Sequence, residues 1–302
     1  AGRPQYEDMG VSYICTSGEK LPHYIESITS AHPIESTFLR GIVDALNAEV
    51  ALGSVTSVDD GISWLGFTYL FTRLCKAPRV YGLDAHDFEA DPTLTQRRRQ
   101  WITYAANILA QHQMVEFDLA AGTLRPTNMG RIASRYYLSH KTVGIFHERL
   151  RNNLVEADAL SLMSRAADFD QIPLRESEEE ELTSLLESVP CEVDGGTATA
   201  PGKVNILLQA HISYLYVDDF ALVSDMRYVA QNAGRVLLSL FELALDKGFA
   251  MSASAFLQLA KAVDKRIWPY EHPLKQYPTF TPDMTHRTST WADELEVSQI
   301  RS

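Results

Sequence analysis

Apolar residues recur every three to four positions along most of this chain, and that period predicts helices. Across Ser36 to Leu52, the residues Leu39, Ile42, Val43, Leu46 and Val50 share one stripe. A second helix is expected from Ser57, whose hydroxyl can cap it. Asp59 and Asp60 lie in its first turn, and Ile62, Leu65, Leu70 and Leu74 follow. Pro92 should open a third helix, Thr93 to Gln111, with Leu94, Trp101, Ala105, Ile108 and Leu109 turned inward. Trp64, Trp101 and Leu109 are expected to be mostly buried.

The period then falls to two. MVEFDLAAGTLRPT alternates around Val115 and Phe117, turns at Ala121-Gly122 and returns through Leu124. That predicts a β-hairpin at about 114–127. Three helices followed by a hairpin are the outline of a winged helix. Helical spacing resumes after Asn128, with further amphipathic segments at about 155–168, 176–188, 203–219, 223–247 and 252–266. Val189 to Gly202, rich in Gly, Pro and Thr, reads as a loop. Near the start, the apolar run Val11 to Thr16 reads as a strand. From Tyr277 the chain carries prolines, threonines and few apolar residues, and is expected to leave the main body.

Composition narrows the function classes. The chain has 302 residues, enough for about two domains. No apolar stretch approaches the roughly 20 residues that span a bilayer, and no secretory signal pattern opens the chain, so no membrane partner is expected. Three scattered cysteines, Cys15, Cys75 and Cys191, read as reduced thiols in the cytoplasm or nucleus. A net charge of −12 argues against a general nucleic-acid coat, though not against a local track on one face. Glu176 to Glu181 contribute to that charge and read as a solvated helix start before Leu182, Leu185 and Leu186.

Catalytic motifs are missing. Pro201-Gly202-Lys203-Val204 lacks the hydroxyl and the spaced first glycine of a phosphate-binding loop. His147-Glu148 starts like a zinc-protease motif, but Arg151 stands where the second histidine belongs. His140 and His147 lie two turns apart without a third or fourth ligand, so a structural role is expected and no metal. Arg97-Arg98-Arg99 reads as an exposed helix face.

One helix carries a pattern with two readings. In SDMRYVAQNAGRVLLSLFELALDKG (224–248), Met226, Val229, Ala230, Ala233, Leu237, Leu240 and Ala244 can face a core. Tyr228, Gln231, Asn232 and Arg235 share the opposite stripe, with Arg227 beside them. Tyr228 and Arg235 are about 10 Å apart along the axis. The stripe is either a solvated polar face or a track for unstacked bases and phosphates. Asn is a poor mid-helix residue, which sets Gln231-Asn232 apart.

Longer stretches carry a resemblance. AGRPQYEDMG resembles the second half of helicase motif VI, Q-x-x-G-R-A-G-R-P, of the large tandem-cassette DExH-box RNA helicases of superfamily two. HPIES (32–36), LNAEVALGSV (46–55), WLGFTYLFTRL (64–74), DPTLTQRRRQ (91–100), GRIASRYYLS (130–139), KVNILLQAHIS (203–213), SDMRYVAQNAGR (224–235) and VDKRIWPYEHPLKQY (263–277) resemble that family's signatures in family order. AADFDQIPLRESEEEEL (166–182) is closest to the member acting in ribosome quality control, with the spliceosomal member second. AGRPQ favours a first, catalytically active cassette.

The resemblance implies a mainly α architecture in four parts. Residues 1–33 would end a second RecA-like domain, 34–128 form a winged helix, 129–276 form a Sec-type helical bundle, and 277–302 lead towards a helix-loop-helix domain. The helix at 223–247 would be a ratchet helix beneath the channel for single-stranded nucleic acid, RNA being the expected form. That assigns Tyr228, Gln231, Asn232, Arg235 and Arg227 to nucleic-acid binding. Arg3 would match the motif VI arginine that stabilises charge on the transferring phosphate. ATP and Mg would belong to the full-length helicase and not to this stretch alone, which is expected to be inactive by itself. Expected partners are RNA, the protein's own RecA-like domains and subunits of a large complex. The alternative is a non-catalytic scaffold whose bundle docks partners in a ribonucleoprotein or ribosome-associated assembly.

Overall fold

The helix termini follow from short polar side chains placed where free backbone N–H groups need acceptors. A computed structural model describes residues 5–6, 9–29 and 34–277, with backbone alone for Ala85, Asp87 and Phe88. After α1 (Leu21–Thr29), a short 3-10 turn leads into α2 (Ile42–Leu52). Ser57 accepts from the Asp60 N–H and starts α3 (Val58–Gly66). The helix expected to run on through Leu74 is two helices. Thr68 accepts from the Phe71 N–H and starts α4 (Tyr69–Lys76) afresh. Following α5 (Ala85–Ala90), α6 spans Thr95–Gln111. Pro92 lies outside α6. Its start is set by the Asp91 carboxylate, which accepts from the Gln96 N–H at 2.6 Å, and by Leu94 at φ +53°.

The hairpin is present as β1 (Val115–Asp118) and β2 (Thr123–Pro126), antiparallel, with Phe117 opposite Leu124. Leu109 is fully buried, while Trp64 and Trp101 are half-buried against the same core. Arg97-Arg98-Arg99 is tied down within the chain. Arg98 donates to the carbonyls of Ile62 and Thr93 and lies over Phe71, and Arg99 pairs with Asp59.

The second half is a helical bundle: α7 (Asn128–Tyr136), α8 (His140–Arg149), α9 (Glu156–Ser164), α10 (Glu179–Ser188), α11 (Ala200–Ile212), α12 (Phe220–Asp246) and α13 (Ala250–Lys265). One hydrophobic core runs from α2 and α6 through α7 to α12 and α13. α11 ends earlier than its apolar spacing suggests. The chain turns at Tyr214, φ +56°, and Asp219 caps α12 by accepting from the Leu222 N–H.

Two expectations are corrected. Val11 to Thr16 is not a strand but exposed, irregular backbone. A strand needs a neighbouring ladder, and among the described residues none lies beside it. Glu178 is not solvated. It is buried with Lys203, and the Lys203 ammonium donates to Glu178 at 2.5 Å, Asp225 at 2.8 Å and the Pro173 carbonyl at 2.9 Å. Arg3 and the tail from residue 278 lie outside the described residues. None of the helices among the described residues is long and apolar enough to cross a membrane.

Three histidines give the fold a pH dependence. Burial pushes down the pKa of His112, with His140 adding to it. Burial also lowers His147, beside Lys247, and His211, beside Arg266. The unfolded chain therefore binds more protons than the folded one once pH falls below the ordinary histidine value of about 6.5. Stability should be flat above that value and decline below it, so the thermal midpoint should fall steadily between about pH 6.5 and pH 5. A midpoint that rises over this interval would contradict the burial of these rings.

Candidate nucleic-acid interface

α12 is 27 residues long and amphipathic. Its buried side carries Val229, Ala233, Val236, Leu237, Leu240 and Ala244. Polar contacts then fix its angle against α7. Arg135 and Tyr136 both donate to Glu242, and Asn128 donates to Asp246 at 2.8 Å. Burial first, and then the Glu242 carboxylate, raise the Tyr136 pKa, which keeps it a phenol donor.

Tyr228, Asn232 and Arg235 stand together on this helix, but not on the open face expected from their spacing. All three are half-buried and bonded within the chain. The Tyr228 hydroxyl donates to the Asp168 carbonyl at 3.1 Å, and its ring packs edge-on to Phe169. Asn232 donates to the Tyr228 carbonyl at 3.0 Å. Arg235, its side chain 28% exposed, donates to the Tyr136 carbonyl and to the Asp168 carboxylate at 2.6 Å each. It also reaches Asn232 at 3.2 Å and the Tyr137 carbonyl at 3.3 Å. Asp168 in turn accepts from Thr142 of α8. The guanidinium is thus a joint between α12, the end of α7 and the loop after α9. Helical period separates a polar stripe from an apolar one. It does not show that a distant loop will fold over half of the polar stripe.

Arg227 and Gln231 are exposed. They fall on a line with Gly234 and Leu238, at successive spacings of four, three and four residues. A Cβ built on Gly234 would meet nothing within 4 Å, so backbone is open to close approach there. Gly234 and Asp168 also shape this face of α12. A glycine in mid-helix costs about 1 kcal/mol against alanine, which was a usable signal. Asp168, with Asp170 two residues on, carries no such signal.

The phosphate-loop-like stretch 201–204 is helical, and its lysine, Lys203, is already paired with Glu178 and Asp225. Among the described residues no group of three or more His, Cys, Asp or Glu could hold a metal ion.

The family model described as Sec63 Brl domain matches residues 126–298, and that of a Winged Helix-turn-helix domain matches 35–110. The chain is 41% identical to Activating signal cointegrator 1 complex subunit 3 of Bos taurus over 95% of its own length, and 40% identical to RQC trigger complex helicase SLH1 of Saccharomyces cerevisiae over 97%. It is 38% identical to DExH-box ATP-dependent RNA helicase DExH14 of Arabidopsis thaliana over 98%. It spans only 13%, 16% and 14% of those proteins, respectively. The resemblance to the ribosome-quality-control member is borne out, as is the mainly α fold class. With more than half its length matched, the chain belongs to the Sec63 Brl domain family, and it carries a winged helix ahead of that domain.

Proposed function

We propose that this chain is the nucleic-acid-engaging accessory part of an ATP-dependent RNA helicase, and that α12 is the ratchet helix along which single-stranded RNA is guided. The observation that carries the reading is the open line Arg227–Gln231–Gly234 on a long helix whose rear is buried and whose flank is braced by Arg235. A guanidinium and an amide engage phosphates and base edges without demanding a sequence, and bare backbone at Gly234 lets a strand approach closely. Tyr228, Asn232 and Arg235 serve the same end by holding that line in place. Phosphate chemistry would come from elsewhere in a longer protein, with Arg3 contributing to charge stabilisation at the transferred phosphate. The chain alone should not turn over ATP.

A scaffold role is the second reading. It is favoured by the exposed apolar side chains Leu238 and Leu245 further along α12.

The test pairs stability with binding. Arg227→Ala and Gln231→Ala should leave the melting curve within about 0.5 kcal/mol of the parent and weaken oligouridine binding, with a shallower salt dependence for Arg227→Ala. Arg235→Ala should instead cost roughly 1.5–3 kcal/mol of stability, the range for hydrogen bonds to a charged group. Oligouridine binding untouched by an Arg227→Ala, Gln231→Ala double change would favour the scaffold.

A further inference from the structure

The ends of α11 and α13 present aromatic rings to solvent. α11 ends in the turn at Tyr214, and α13 ends at Arg266, both held at positive φ, +56° and +53°. The Arg266 guanidinium lies over the Tyr214 ring, 3.5 Å from its centroid, and its Nε donates to the His211 carbonyl at 2.8 Å. The Trp268 indole is buried, and its N–H donates to Ser213 at 2.9 Å. Tyr270 stacks on Trp268 with planes 7° apart and centroids at 6.1 Å. Both tyrosines remain open, Tyr214 at 61% and Tyr270 at 72% exposure.

Two hollows adjoin the rings. One of about 240 Å³ is lined by Tyr214, Trp268, Tyr270 and Lys275. One of about 280 Å³ is lined by Trp268, Lys261, Lys265, Gln258 and Gln276. Residues 258–277 carry four cations, Lys261, Lys265, Arg266 and Lys275, against two carboxylates, Asp264 and Glu271. Lys265 pairs with Asp264 and Lys275 with Glu271, which lines both hollows, and Glu156 stands beside Tyr270, so the cations left over in this segment are Lys261 and Arg266.

We propose that this end of the bundle is a second binding site for single-stranded RNA, with bases stacked on Tyr214 and Tyr270 and phosphates met by Lys261, Lys265 and Lys275. Exposed rings held rigid from behind, beside surface lysines whose carboxylate partners a phosphate can displace, are the components of sequence-tolerant single-strand binding. A guanidinium on one face of Tyr214 presents a further flat cation to a base. The site is separate from the α12 line and draws on the function proposed above only for the choice of RNA.

The experiment uses the purified 302-residue chain and oligouridine carrying 4-thiouridine. Photo-crosslinks should map to Tyr214 or Tyr270. Tyr270→Ala should weaken binding on the order of ten-fold, the usual cost of one lost stacking ring, whereas Tyr270→Phe should bind as the parent does. Tyr270 is open enough that its loss should leave the melting curve unchanged. Binding lost in Arg227→Ala but unchanged in Tyr270→Ala and in a Tyr214→Ala, Tyr270→Ala double change overturns this site and leaves the α12 reading standing. The reverse pattern supports it and removes the other. Crosslinks confined to other peptides, or no binding at low salt, overturn it and assign the exposed rings to a protein contact.

Discussion

Lys203→Ala should cost this chain roughly 3 kcal/mol of stability, at the lower end of the range for breaking a buried ion pair. The Lys203 and Glu178 side chains are both fully buried, and Asp225 is nearly so. All three ammonium protons are used, on Glu178, on Asp225 and on the Pro173 carbonyl. Removing the lysine leaves a carboxylate without its main counter-charge in a site that water does not reach, and desolvation then has no offset. The cost stays at the low end because Arg175 also pairs with both Glu178 and Asp225 from the rim. A Lys203→Met, Glu178→Gln double change should recover most of the loss, since neither buried charge of that pair then remains. Urea unfolding of the parent, Lys203→Met, Glu178→Gln and the double variant measures the coupling directly. A single-variant cost below about 1 kcal/mol would mean that water reaches the network.

That network also marks what could be read in the sequence and what could not. Local rules located most of the helices and the hairpin, because capping hydroxyls such as Ser57 and periodic apolar residues act over four or five positions. They failed where a partner from far along the chain decided the outcome. Glu178 stands in an acidic run that looks solvated, yet the cation buried with it, Lys203, is 25 residues away. Lys203 resembles a fragment of a phosphate loop, yet it points into the core. Arg235 belongs to a stripe that spacing alone describes as free, and an Asp 67 residues earlier claims it. In each case the charge pattern was legible and the pairing was not, because pairing is a property of the tertiary fold. The candidate interface was legible to the same extent. The helix and its polar side could be read from period, while the choice of Arg227 and Gln231 over Tyr228 and Arg235 as the open residues depends on a loop fold.

Glycines show the same division with an opposite sign at two positions, and they provide the second large effect. Gly130→Ala should destabilise the chain by about 3 kcal/mol or more, the upper range for overpacking. A Cβ at Gly130 would stand 2.0 Å from the Met114 carbonyl oxygen and 2.9 Å from the Asn47 side-chain oxygen. The obstacle is backbone at the start of β1, and it cannot swing aside as a side chain would. Met114 is held by Thr127, whose N–H and hydroxyl both donate to its carbonyl, and Asn47 donates to the Gly130 carbonyl at 3.0 Å. Relieving the clash would separate α7 from α2 and from the end of α6, the seam where winged helix meets bundle. Gly234→Ala, in mid-α12 with open space around the added methyl, should instead stabilise by roughly 0.5–1 kcal/mol, because alanine restricts the unfolded chain and favours the helix. Paired thermal melts separate the two: a lower midpoint for Gly130→Ala and a higher one for Gly234→Ala. If the Gly234 variant is stabilised and yet binds oligouridine less well, the glycine is kept for the approach of the strand and not for the fold. If it binds equally well, the backbone at 234 is not part of the track, and the line on α12 reduces to Arg227 and Gln231.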